Sequence, residues 1–107
     1  MRDLLKPFEN PIKKKVIVHV QDPSHGWLKV PIMDLVDLNL MDKLTIYSYR
    51  SRSGETAYLE EDLDAMTFMN ALCEYHRIPK SEFRNYFTLA PVVTNTKSVV
   101  RTLPSLK

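Results

Sequence analysis

The chain has 107 residues, of which 44% are hydrophobic and 26% are charged, a composition typical of one soluble globular domain rather than of a disordered or fibrous chain. Its single cysteine, Cys73, excludes an internal disulfide and indicates a reducing compartment such as the cytoplasm. No apolar run approaches the roughly 18 residues of a membrane span, and residues 1–10 lack the apolar stretch of a secretory signal, so no membrane association is expected.

The first half of the sequence predicts a basic arm, two strands and a short helix. Residues 1–13, which contain two prolines, form the predicted N-terminal arm. Alternating β-branched and polar residues predict a strand over 13–21, and the turn-forming residues at 22–26 end it. A second short strand is expected over 27–30, and the apolar spacing predicts a short helix near 32–40.

The second half of the sequence predicts a hairpin and the longest helix. Alternation over 44–50 and the aromatic and β-branched residues over 56–59 predict two paired strands joined by a turn at 51–54. Apolar residues spaced three and four apart predict a long helix over 63–77, with Asp62 as its N-cap.

The C-terminal region completes the predicted fold. Residues 82–89 fit a strand and a helix equally, 92–101 is expected to be a last strand, and 104–107 is expected to be frayed. Together the elements predict one α+β domain over 14–103, in which a mostly antiparallel sheet of three to five strands packs against the long helix.

Charge is distributed unevenly along this chain. Residues 1–15 carry a net charge of +3, residues 16–76 a net charge of −6 and residues 77–107 a net charge of +5. Two basic ends around an acidic middle are compatible with binding of a polyanion or an acidic partner. Because the basic residues are scattered and form no arginine-rich run, folding of the ends onto the middle, or simple solubility, is the favoured interpretation.

The turn at residues 22–26 is the first candidate site. Asp22 and His25 could act as a general acid or base near neutral pH, in a small pocket walled by Trp27. The favoured interpretation is structural: Asp22 caps its own turn, Gly26 admits a positive φ, and Trp27 anchors the loop in the core. No nucleophilic serine or cysteine motif accompanies the histidine.

Four clustered acids form the second candidate site: Glu60, Glu61, Asp62 and Asp64. Carboxylate oxygens suit a divalent cation, and a small metal-dependent hydrolase or nuclease centred on His25 would require residues 60–62 to lie near that histidine. Electrostatic stabilisation of the helix N-terminus is favoured, because alternate residues point apart at a strand-to-helix junction.

A zinc site is the third candidate. Cys73 and His76 lie three residues apart on the predicted long helix, but a structural zinc site needs four ligands. His19 and His25 are the only other histidines, and there is no second cysteine. Packing in the core or at an interface is therefore favoured, and no metal or cofactor is expected.

Aromatic residues of the predicted hairpin indicate a binding surface. Tyr47 and Tyr49 share one strand face, and Arg50 and Arg52 lie at the hairpin end, which suits base stacking beside phosphate contacts in single-stranded nucleic acid. Tyrosine is also a favoured strand residue for ordinary packing, so the stacking hypothesis is the weaker one. Exposed aromatic residues such as Trp27, Tyr47 and Tyr49 would equally serve protein binding.

Three segments of the sequence, 20–31, 46–49 and 58–64, carry a family resemblance. The most specific parts are His-Gly-Trp-x-x-Val-Pro at 25–31 and Tyr-Leu-Glu-Glu-Asp at 58–62. These motifs resemble a family of small uncharacterised proteins from bacteriophages and related bacterial genomes. The resemblance implies a phage or mobile-element setting and expression in the bacterial host cytoplasm, and it assigns no catalytic residue.

The favoured function is that of a non-enzymatic accessory protein that binds a macromolecular partner, a host or phage protein ahead of nucleic acid. The chain is short, has two glycines, and contains neither a phosphate-binding loop nor a complete triad, which leaves an enzyme few places to assemble a site. Self-association through an uncovered sheet edge, giving a homodimer, is a further expectation. The expected binding residues are His25, Trp27, Tyr47, Tyr49, Arg50 and Arg52.

Overall fold

A computed structural model describes residues 15–93 and 99–107, which form one mixed sheet with helices on one face. The strands are β1 (Lys15–Gln21), β2 (Gly26–Pro31), β3 (Tyr49–Arg50), β4 (Thr56–Glu60) and β5 (Phe87–Val93). The α-helices are α1 (Ile32–Asp37), α2 (Asp64–His76) and α3 (Phe83–Tyr86), and short 3-10 turns occupy Met41–Lys43, Lys80–Glu82 and Val99–Thr102. The predicted arm at 1–13 lies outside the described residues.

The strand order is β3-β4-β2-β1-β5, and all neighbouring pairs are antiparallel except β1 and β5, which run parallel. The α+β prediction with a mostly antiparallel sheet of three to five strands is therefore confirmed. The sequence does not reveal the parallel pair, because its partners are about 70 residues apart and a parallel connection leaves no local turn signal. No helix in the described part of the chain is long and apolar enough to cross a membrane.

The core lies between the helices and one face of the sheet. Ile17, Leu28 and Leu59 project from neighbouring strands into the same cluster as Phe68 and Leu72 of α2, and each of the five is at most 2% exposed. The alternation predicted for β1 is observed, with Ile17 inside and its neighbour Val16 60% exposed on the opposite face. Because strand side chains alternate, every second residue of β2 and β4 faces away from the helices.

Helix α2 follows the predicted stripe and ends where expected, but its start differs. Arg77 has a left-handed φ of 56°, its N–H donates to the Glu74 carbonyl and the Ile78 N–H donates to the Cys73 carbonyl, the two bonds of a Schellman motif. The predicted N-cap Asp62 is wrong: Leu63 precedes the helix, and no side chain caps it.

The strand predicted over 44–50 is mostly wrong, since only Tyr49–Arg50 is a strand. The buried Asp64 carboxylate accepts hydrogen bonds from the Thr45 backbone N–H at 3.0 Å, from the Thr45 hydroxyl at 2.7 Å and from the Ser48 hydroxyl. The Thr45 N–H, which would donate to a neighbouring strand if this segment were a strand, thus donates to a carboxylate 19 residues away along the chain.

The C-terminal region also differs from the prediction. The ambiguous 82–89 region is divided between helix α3 (Phe83–Tyr86) and β5, to which only its last three residues belong. Of the strand predicted over 92–101, Val92 and Val93 belong to β5, residues 94–98 lie outside the described residues, and Val99–Thr102 is a 3-10 turn. Residues 104–107, predicted to fray, lie against β3: the Arg50 N–H donates to the Pro104 carbonyl at 3.0 Å, and the Leu106 N–H to the Ser48 carbonyl at 2.8 Å. Leu106 is 6% exposed.

Candidate functional site

The turn between β1 and β2 is built on Asp22. Its Oδ1 accepts the backbone N–H groups of Ser24 at 3.0 Å and His25 at 2.9 Å, and the Asp22 N–H donates to the His25 carbonyl at 2.9 Å. This is the capping role predicted for Asp22. The short loop holds the His25 side chain outside, next to the first residue of β2.

Gly26 serves a different purpose from the one predicted. The glycine with a positive φ is Gly54, at 78°, in the hairpin turn. A Cβ added at Gly26 would lie 2.5 Å from Glu61 Oε2 and 2.7 Å from His19 Nε2. Glycine at this position thus leaves room for the ends of the Glu61 and His19 side chains, which a Cβ would displace, and its backbone conformation does not require glycine.

Asp22 also binds Arg101, which arrives from the C-terminal segment. The Arg101 Nε lies 2.7 Å from Asp22 Oδ2, and its Nη2 lies 3.1 Å from Oδ1. The Asp22 side chain is fully buried, so this two-point contact supplies the charge that balances it. The hydrogen bond to Asp22 raises the pKa of Arg101, which keeps the guanidinium charged.

The same guanidinium fixes the tautomer of His25. Arg101 Nη2 lies 2.7 Å from His25 Nδ1. Because arginine only donates, His25 Nδ1 must accept, and the proton of the neutral ring is then on Nε2. The exposed nitrogen of His25 is therefore a donor in this arrangement.

Trp27 is the centre of an aromatic cluster on the sheet face opposite the helices. It is 2% exposed, so the prediction that Trp27 is an exposed aromatic residue is wrong, whereas the prediction that it anchors the loop by burial is confirmed. The His25 ring stacks at 6.1 Å, the Tyr49 ring meets it edge-on at 6.2 Å, and the Arg101 guanidinium carbon lies 5.6 Å from the ring centre. The last distance is that of a cation–π contact.

A cleft of about 270 Å³ opens beside this cluster, and we call it the aromatic cleft. Aromatic rings, two acids and one exposed leucine surround it. Its lining residues are His25, Trp27, Tyr47, Tyr49, Glu60, Asp62, Leu63 and Arg101. A second, more open depression of about 500 Å³ lies on the other side of His25, over the turn and Glu61, and has no aromatic wall apart from that histidine.

The four predicted aromatic residues meet in the aromatic cleft, whereas the two predicted arginines lie outside it. The Arg50 backbone and the Arg52 side chain contact the C-terminal segment, the latter by a 3.1 Å hydrogen bond from Nη2 to the Thr102 carbonyl. Sequence reasoning missed Arg101, since the 79 residues that separate it from Asp22 hide their contact.

The clustered acids separate into three roles. Glu60 and Asp62 line the aromatic cleft, and Glu60 Oε2 accepts the N–H groups of Asp62 and Leu63, both at 3.1 Å. Glu61 faces the other way, with Oε2 3.5 Å from His19 Nε2. Asp64 is buried and holds the 45–48 segment, so the four carboxylates do not converge.

The Cys73 and His76 pair lies in the helix packing. Cys73 is 2% exposed, and burial raises the pKa of its thiol. The His76 ring contacts Tyr75 edge-on at 5.1 Å and tilts against Phe87 at 6.1 Å. Among residues 15–93 and 99–107, no group of three or more His, Cys, Asp or Glu side chains is placed to hold a metal ion.

Comparisons with protein-family models, with curated proteins and with solved structures give no match to this chain.

Proposed function

We propose that this chain is a non-enzymatic accessory protein that binds a partner protein through the aromatic cleft. The observation that carries the proposal is the lining of that cleft: a buried tryptophan at its base, two tyrosines, and Leu63, which is 54% exposed. Aromatic anchors beside a partly exposed apolar residue are the composition of protein-binding hot spots. The phage-type motifs at 25–31 and 58–62 supply four of the eight lining residues, so the proposal extends to a phage or mobile-element protein of the bacterial cytoplasm.

Access to the cleft favours a macromolecular partner. The Tyr47 side chain is 63% exposed at the rim, and the neighbouring Ile46 is 68% exposed. A rim of this kind offers apolar area that an approaching protein surface can cover. The base of the cleft is preformed, because Trp27 is already held by His25, Tyr49 and the Arg101–Asp22 pair.

Single-stranded nucleic acid is a weaker candidate for the same cleft. Base stacking would use Tyr47 and Tyr49, but phosphate groups would meet the carboxylates of Glu60 and Asp62. Within the described ranges, Arg101 is the one cation that lines the cleft, and it is already paired with Asp22. Arg52, which was expected to contact phosphate, is exposed but donates to the Thr102 carbonyl.

The hydrolase alternative gains one observation, since His25 lines the same cleft as Glu60 and Asp62. The hydrogen bonds of His25 and Glu60, however, do not suit these residues to acid–base catalysis. His25 Nδ1 accepts from Arg101, so Nε2 carries a proton and is not positioned as a general base. Glu60 Oε2 is engaged by two backbone N–H groups.

Affinity capture with matched variants tests the proposed function. The full chain is used as bait in bacterial lysates, alongside Tyr47→Ala in the cleft and Tyr75→Ala on α2, where the ring is 44% exposed. We expect the wild type and Tyr75→Ala to retain the same partner protein and Tyr47→Ala to lose most of it, with all three showing equal thermal melting. Equal capture by Tyr47→Ala, or retention of nucleic acid alone, would contradict the proposal.

A further inference from the structure

We propose that the aromatic cleft receives a lysine or arginine side chain of the partner, an inference that rests on the proposed function and specifies its ligand. The cleft combines aromatic faces with carboxylates, which is the combination that binds organic cations in proteins. The assignment follows from the charges that line the cleft, from the unused hydrogen-bonding capacity of its two acids, and from the Arg101 guanidinium that already lies against the Trp27 ring.

The charges lining the cleft leave a net negative site. Arg101 and Asp22 neutralise each other through their two contacts at 2.7 and 3.1 Å. His25 is neutral while it accepts from Arg101. The carboxylates of Glu60 and Asp62 remain, and among residues 15–93 and 99–107 no cation lines the cleft apart from the paired Arg101. A cationic ligand is therefore attracted, and an anionic one is repelled.

The two acids also have hydrogen-bonding capacity to spare. Glu60 uses Oε2 to hold the backbone N–H groups of Asp62 and Leu63. Within the described part of the chain, Glu60 Oε1 and the Asp62 carboxylate have no hydrogen-bond partner. Holding Glu60 in place at one oxygen leaves the other oriented for an incoming N–H donor, which reduces the entropy lost on binding.

The rings show that a guanidinium fits this environment. The Arg101 guanidinium lies 5.6 Å from the centre of the Trp27 ring, and the Tyr49 ring meets Trp27 edge-on. The Tyr47 residue at the rim is 63% exposed. An entering side chain can thus lay its aliphatic stem on Leu63 and its charged end between Tyr47 and the carboxylates.

Titration of the full chain with short peptides tests the proposal. Trp27 is the only tryptophan of the sequence and lies in the cleft, so its fluorescence reports binding without a label. The probes are hexa-arginine, hexa-lysine, hexa-glutamate and a ten-nucleotide thymidine strand, each added to wild type and to Glu60→Gln/Asp62→Asn. The Glu60→Gln change keeps an oxygen for the two backbone N–H groups, while it removes the charge and replaces the other oxygen with an NH2 group.

We expect the two basic peptides to change the Trp27 emission saturably, and the double variant to weaken their binding about tenfold or more, with a strong dependence on salt. A matched control, Glu74→Gln on the exposed end of α2, should bind as the wild type does. Unchanged affinity of the double variant, absence of basic-peptide binding, or tighter binding of hexa-glutamate or of the thymidine strand would overturn the proposal.

The two proposals fail in different ways. If the partner captured by the wild type is lost in Tyr47→Ala but is fully retained by Glu60→Gln/Asp62→Asn, the cleft binds a protein without a cationic anchor, and only the inference about its ligand is wrong. If Tyr47→Ala retains the partner, the proposed function itself is wrong.

Discussion

Two buried aspartates organise the two sides of this molecule, and they are stabilised in opposite ways. Asp64, 1% exposed, accepts from a backbone N–H and two hydroxyls, all neutral donors. Asp22, whose side chain is fully buried, accepts from two backbone N–H groups and from the charged guanidinium of Arg101. The first carboxylate lies within the helix-covered core region, and the second lies at the rim of the sheet.

The hydrogen bonds of Asp64 form a network that stabilises the fold, whereas those of Asp22 form a network that shapes the aromatic cleft. The bonds of Asp64 tie the start of α2 to residues 45–48, and through the Ser48 hydroxyl, which accepts the Glu60 N–H at 2.9 Å, to β4. The bonds of Asp22 tie the C-terminal segment to the turn and place Arg101 over Trp27. Loss of the first should therefore strongly destabilise the fold, and loss of the second should mainly alter the cleft.

The largest effect is expected for Asp64→Ala. The substitution leaves the Thr45 N–H, the Thr45 hydroxyl and the Ser48 hydroxyl without their acceptor in a mostly buried setting. We expect the free energy of unfolding to fall by about 3–5 kcal/mol. Urea denaturation followed by circular dichroism measures it, with the exposed Asp42→Ala as a control that changes stability by less than about 0.5 kcal/mol. A loss below about 1 kcal/mol would contradict the account of the Asp64 network.

A smaller effect on stability is expected for Asp22→Ala. The turn loses the acceptor for two backbone N–H groups, which we expect to cost about 1–3 kcal/mol. Since Arg101 also loses its partner, the Trp27 emission should shift to longer wavelength as the cleft opens to water. Asp22→Asn, which keeps an acceptor for the turn, should retain more stability but show a similar shift. An unchanged emission spectrum in both variants would show that the Asp22–Arg101 pair does not keep water away from Trp27.

The smallest effect concerns the unaltered protein. The measured quantity is the rate at which the thiol of Cys73 is alkylated. Burial raises the pKa of this thiol, so less thiolate is present at any pH below that pKa than in the unfolded chain. We expect alkylation at mildly alkaline pH to be on the order of a hundredfold slower in the native protein than in urea. Asp64→Ala should accelerate labelling far more than Asp22→Ala, and equal acceleration by both would remove the distinction between the networks.

Local sequence patterns predicted the elements whose bonds are local. The alternation in β1, the hairpin turn around Gly54 and the apolar stripe of α2 depend on residues close in sequence, and each is observed. The 44–50 segment could not be predicted from its alternation, because the decisive bond of Thr45 is made to Asp64. The parallel pairing of β5 was hidden for the same reason.

The site was predictable in its aromatic half only. His25, Trp27, Tyr47 and Tyr49 stand out by residue type, and the structure brings them to one cleft. Arg101 has no local signal, and the buried partner that gives it a role is on another element. The pattern of aromatic and basic residues also suggested two arginines for the site. These arginines, Arg50 and Arg52, contact the C-terminal segment instead.

Nitrogen-15 NMR of the full chain, recorded with and without hexa-arginine, tests the central claim most directly. If the aromatic cleft binds a cationic side chain, the largest shifts will occur at the Trp27 indole N–H and at the backbone amides of Tyr47 and residues 60–63, while those of β5 on the far edge of the sheet stay in place. Shifts centred on Val16 of β1 and Val92 of the edge strand β5, or an unchanged spectrum at saturating peptide, would contradict it.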